Sequence, residues 1–162
     1  MKNTILKFGV LLTITLLLIF GICYAMNTYV DPPWWYSPLG FLANVLIFVY
    51  AFKAFKNLND NLMTYGDAIK IGLGVALIAG TLMGIFRYLL ITSIDPNFIK
   101  ESVRLFKIHH SDVPIEVEEG KGFMQVSIMT VIEFITTFFS GLFVASIIGL
   151  FLKTKRQVTS DA

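Results

Sequence analysis

The sequence predicts an all-α protein built for a membrane: an integral four-helix bundle with a short amphipathic outer helix between helices 3 and 4. Of its 162 residues, 56% are hydrophobic and only 15% are charged, where a soluble domain carries roughly a quarter. Only Lys7, Lys53, Arg87 and Glu133 fall within four long apolar runs. Each run supplies the roughly 20 residues that a helix needs to cross a hydrocarbon core about 30 Å thick. The chain reads as one membrane domain over 1–162.

The first span covers about 5–26 and is interrupted only by Lys7. A basic start, an apolar centre and Ala25 near a cleavage point also fit a signal peptide. The length of the apolar stretch, 8–22, favours a retained helix, and Ile22 before Cys23 is a poor match to a lipoprotein signal. Next comes Asp31-Pro32-Pro33-Trp34-Trp35-Tyr36, a turn that proline keeps non-helical, with aromatics suited to the headgroup belt. The second span covers about 37–55 and the third about 71–94. Thr64 and Asp67 have capping-box spacing at the start of the third helix. Asp95-Pro96 ends it, because the residue before proline avoids the helical region. The fourth span covers about 124–152.

The outer polar segment, 97–122, opens with Phe98, Ile99, Val103 and Phe106 on one helical face. Lys100, Glu101, Arg104 and Lys107 fall largely opposite. This pattern fits a helix lying on the membrane surface, and equally one packed over the mouth of the bundle. Orientation follows from Lys and Arg near the helix ends. One side holds Lys2, Lys7, Lys53, Lys56, Lys70, Lys153, Lys155 and Arg156; the other holds only Lys100, Arg104, Lys107 and Lys121. The expected location is therefore the inner, cytoplasmic membrane, multi-pass, with both termini cytoplasmic.

In lipid, small residues that let backbones approach are the packing signal. Helix 3 has Ala68, Gly72, Ala76, Gly80 and Gly84; helix 4 has Gly141, Ala145 and Gly149, with Thr137 and Glu133 in register. Laid antiparallel, the ridges pair Gly72 with Gly149, Ala76 with Ala145, Gly80 with Gly141 and Gly84 with Thr137. That alignment brings Arg87 within one residue of the level of Glu133. Each lies about 12–14 Å inside its helix, where a lone charge costs on the order of 2.5–3.5 kcal/mol. Pairing relieves the cost, ideally through two parallel hydrogen bonds. Asn44 lies at similar depth and is a third polar partner. The pair reads either as a lock on helix register or as the lining of a polar cavity that binds an ion, a proton or an anionic headgroup.

Other chemistry is poorly represented. A net charge of +2 lacks the basic excess of a nucleic-acid binder. The single Cys23 has no intrachain partner. His109-His110 with Asp112 and Glu116 is the nearest approach to a metal set, but it lacks a second pair at ligand spacing, so no metal and no cofactor are expected. No Ser/His/Asp set or paired catalytic carboxylates can be placed.

Several segments resemble a known family. Tyr65-Gly66-Asp67-Ala68, with Lys70 and Gly72, leads through the apolar span to Ile94-Asp95-Pro96-Asn97-Phe98. With Lys7-Phe8-Gly9 and the close from Gly141 through Ser146-Ile147-Ile148-Gly149 to Lys153, this is similar to the bacterial domain of unknown function 4199 family. The resemblance implies a small multi-helix inner-membrane protein, of a kind found mainly in Bacteroidota, and no catalytic residues to transfer. Relatives carry a longer acidic segment before the last span, shortened here to 111–122, so a shared role for that loop does not follow.

The first expectation is a non-enzymatic subunit, scaffold or envelope factor, in contact with the lipid bilayer and associated as a homo-oligomer or with a larger membrane partner. The alternative is a transporter or channel component using Arg87, Glu133 and Asn44. A membrane-embedded enzyme acting on lipid comes third.

Overall fold

A computed structural model describes residues 1–109 and 122–154. All its regular structure is helical among those residues: α1 (Lys2–Ala25), α2 (Tyr36–Asn57), α3 (Tyr65–Leu89) continued by a π turn (Leu90–Ile94), α4 (Phe98–His109) and α5 (Gly122–Leu152). Among the described residues, four helices are long and apolar enough to cross a membrane: Lys2–Ala25, Tyr36–Asn57, Tyr65–Ile94 and Val126–Leu152. The predicted spans are therefore present, most of them longer than their apolar runs. The third starts earlier because the Thr64–Asp67 capping box is formed, with the Asp67 amide donating to Thr64 Oγ1 and the Thr64 amide to Asp67 Oδ2. It ends as read, at Asp95, whose amide reaches back to the Leu90 carbonyl across the wide turn.

α3 runs antiparallel to α5 and parallel to α1, while α2 closes the ring between α1 and α5. Buried Leu12, Phe48, Phe52, Ile71, Val75 and Ala145 fill the centre. Large apolar side chains such as Leu18, Phe41, Ile85, Phe143 and Phe151 cover the outside, the distribution expected where lipid replaces water as solvent. At the end holding Lys2 and Leu152, Thr154 is pinned to the α2–α3 turn by its amide to Met63 O and its hydroxyl to Asn61 O. That turn is shaped by Asp60 and Asn61 in left-handed conformation, φ 48° and 59°, which Asn and Asp tolerate best after glycine. At the opposite end, α1 stops in the same way. Asn27 takes φ 55°, and the Thr28 amide returns to the Cys23 carbonyl, closing the last turn in a Schellman-like arrangement.

The α3–α5 seam departs from the expected register. An added Cβ on Gly149 would lie 2.7 Å from Ala68 Cβ, one on Gly72 2.5 Å from Ala145 Cβ, and one on Gly141 3.1 Å from Ala76 Cβ. The contacts are thus Ala68–Gly149, Gly72–Ala145 and Ala76–Gly141, one helical turn from the predicted pairing. The expected register would have set glycine on glycine and alanine on alanine, leaving a gap in one layer and crowding in the next. The observed one places a methyl against a glycine at every level.

Beyond Gly141 the ridge changes. Gly80 faces Phe134 and Phe138, and Gly84 faces Phe134 and Thr130. Thr137 does not meet Gly84; it is buried beside a cavity between the helices.

Sequence reasoning overlooked the α1–α3 seam. Gly9 is pressed by Ile78, and Gly74 by Ile5, at 2.8 and 2.6 Å from an added Cβ. Glycine at a constant offset on two parallel helices was the available signal.

Candidate functional site

Arg87 and Glu133 meet. The guanidinium donates from Nη2 at 2.8 Å and from Nε at 3.2 Å, and both bonds converge on Glu133 Oε2. This is not the expected fork onto two oxygens, and Oε1 accepts no hydrogen bond from the described residues.

The pair forms despite the slipped register for a reason rooted in helix geometry. By the observed pairing, Arg87 lies level with Thr130 and Glu133 with Gly84, an axial offset of about 4.5 Å. Each Cα–Cβ bond leans toward the N-terminus of its own helix. In antiparallel helices those leans converge, and the long arginine spans the remainder.

The guanidinium is also enclosed by aromatic rings. Its Cζ lies 5.1 Å from the Phe98 ring centre and 5.9 Å from that of Phe20, within the range of a cation–π contact. Phe98 and Ile99, on the face read either as lying on the membrane or as packing over the bundle mouth, are buried with Phe20, Leu90 and Ile91, as the second reading has it. The start of α4 is therefore packed onto the bundle end. The side chains of Val103, Phe106 and His109, and all of His110, Asp112 and Glu116, lie outside the described residues.

Tyr29 ties the α1–α2 loop to the same corner. Its hydroxyl donates to Asp95 Oδ2 at 2.5 Å, and its ring stacks on Phe98. The hydrogen bond to Asp95, reinforced by desolvation and by that carboxylate's charge, pushes the phenol up to about 12.

Asn44 is not bonded to either charge. Its Nδ2 donates to the Gly40 carbonyl one turn back, at 2.9 Å. Its Oδ1 is buried and finds no donor among the described residues. Asn44 and Glu133 nevertheless share a surface: a cavity of about 310 Å³ between α1, α2, α3 and α5. Tyr36, Ser37, Thr137 and Ser140 add hydroxyls to its wall, and Leu16, Ile19, Met83 and Val144 supply apolar area. Gly40 also lines it, and an added Cβ there would meet nothing within 4 Å. The arrangement neutralises a charge between helices and can present acceptors to a guest.

A family model described as "Protein of unknown function (DUF4199)" matches residues 7–154. No curated protein and no solved structure matches the chain.

Proposed function

The chain belongs to the DUF4199 family of proteins of unknown function, and within it we propose a non-enzymatic role. The protein serves as a subunit, scaffold or envelope factor of the inner membrane, with both termini in the cytoplasm. The observation that carries this reading is the enclosure of Arg87. Its charge is taken up by Glu133 of α5 and by the rings of Phe20 and Phe98, from α1 and α4. One cation thereby joins four helices, a use of charge suited to holding a shape that another molecule recognises. The orientation rests on the excess of Lys and Arg at the end holding Lys2, Lys56 and Lys153. The test is the state of association. Light scattering of the full chain in mild detergent, with cross-linking in native membranes, should find a stable homo-oligomer or a stoichiometric partner. A clean monomer without one sinks the proposal.

A second reading, a transport or channel component, is favoured by the cavity that Glu133 and Asn44 share. Four spans are few for a complete path, so the pathway would be shared between copies. Solute flux into proteoliposomes that disappears on Glu133→Gln, with unchanged reconstitution, would establish it.

A further inference from the structure

We propose that the cavity between α2 and α5 is a binding site for a neutral, lipophilic molecule that carries a hydrogen-bond donor, such as a long-chain alcohol. This goes beyond the association role proposed above and does not depend on it.

Asn44 is 7% exposed, and its Oδ1 is a buried acceptor without a donor. Such a group is costly to leave unmet, and it lines this cavity. Glu133 adds a second acceptor, since both bonds from Arg87 fall on Oε2. The guest must therefore bring an O–H or N–H. Charge balance argues for a neutral guest, because Arg87 already neutralises Glu133 and a further ion would bring net charge to membrane depth.

Size and access agree. About 310 Å³ is at the lower edge of small-molecule pockets and far larger than a bare ion requires. Phe41, Thr136 and Ser140 are exposed members of the wall on α2 and α5, which opens the cavity sideways into the bilayer. A guest enters from lipid, with its polar head against Asn44 and its apolar body against Ile19 and Met83.

The experiment uses the full chain in phosphatidylcholine nanodiscs and a long-chain alcohol bearing a photoactivated diazirine, with labelled residues mapped by mass spectrometry. Label should fall within 36–44 and 133–140. Unlabelled dodecanol should displace it on the order of tenfold more effectively than dodecane, the factor that one hydrogen bond to a buried acceptor supplies. Asn44→Leu, the same branched shape without the acceptor, should reduce that preference. Gly40→Leu extends from a lining position whose added Cβ meets nothing, so it should fold and should weaken labelling by narrowing the space. Equal displacement by dodecane, which would mean a cavity filled by water and lipid tails alone, overturns the proposal. So does a preference unchanged by Asn44→Leu, or labelling undiminished in folded Gly40→Leu.

Discussion

At the scale of single residues, the energetics are those of a charge that cannot leave. Removing one member of a buried ion pair strands the other, at a cost of up to about 3–5 kcal/mol, whereas replacing both by apolar residues is often close to neutral. The side chains of Arg87 and Glu133 are 20% and 23% exposed, which places their cost at or below the lower end. Arg87→Leu should therefore be more damaging than Arg87→Leu combined with Glu133→Leu, measured by denaturant unfolding in detergent. A double mutant less stable than the single would show that the pair is not what holds the corner. Arg87→Lys keeps the charge but loses the planar group that lies over Phe98 and Phe20. It should cost about 1 kcal/mol. Tyr29 gives a pH signature at the same corner. Its phenol titrates at about 12 in the fold against an ordinary value of 10.0, so the folded pKa is the higher one. The hydrogen bond to Asp95 then contributes fully below pH 10 and is lost as pH rises through about 12. Difference titration of the wild type against Tyr29→Phe should show one phenol ionising above the rest. A Tyr29 midpoint near 10 would mean that the bond is absent.

At the scale of elements, the decisive quantity is how closely two backbones approach. Gly72→Ala and Gly149→Ala would bring a methyl to 2.5 and 2.7 Å of Ala145 and Ala68 Cβ. Overpacking of that kind costs about 1–3 kcal/mol. Gly21→Ala and Gly40→Ala meet nothing within 4 Å and should be neutral or stabilising by up to about 1 kcal/mol, the helix-propensity difference. Thermal unfolding of the four variants in one detergent checks the contrast, and a loss as large for Gly40→Ala would refute it. The same seam shows what the sequence made legible. A small residue at every fourth position marks the ridge, but that pattern is unchanged when one helix slides by a turn, so spacing alone cannot choose the register. The choice lay in a finer signal, the alternation Ala68-Gly72-Ala76 against Gly141-Ala145-Gly149, which sets every methyl opposite a glycine in only one of the two registers. The Arg87–Glu133 contact was anticipated from the wrong one. It forms because the leaning side chains of antiparallel helices cover an offset of about five-sixths of a turn.

At the scale of the whole molecule, the spans were legible because lipid demands a simple property of each: about 20 apolar residues in a row. The cavity was not, because it depends on which helices become neighbours. Asn44 and Glu133 belong to α2 and α5, and the sequence placed them at similar depth without showing that their helices face one another. The aromatic enclosure of Arg87 was hidden for the same reason, since Phe20 and Phe98 belong to other helices and reach it only when α1 and α4 dock. Topology follows from the whole chain in the same sense, and it can be tested at two positions. Trp34 in the α1–α2 loop is 86% exposed and Leu58 after α2 is 78% exposed, at opposite ends of the bundle, while the native Cys23 is fully buried. A membrane-impermeant maleimide applied to intact cells should therefore label Trp34→Cys and leave Leu58→Cys untouched until the membrane is opened. The reverse pattern would place the Lys-rich end outside, against the bias that sets orientation. Label on both variants in intact cells would be incompatible with α2 crossing the bilayer at all, and with it the four-span reading from which the site is built.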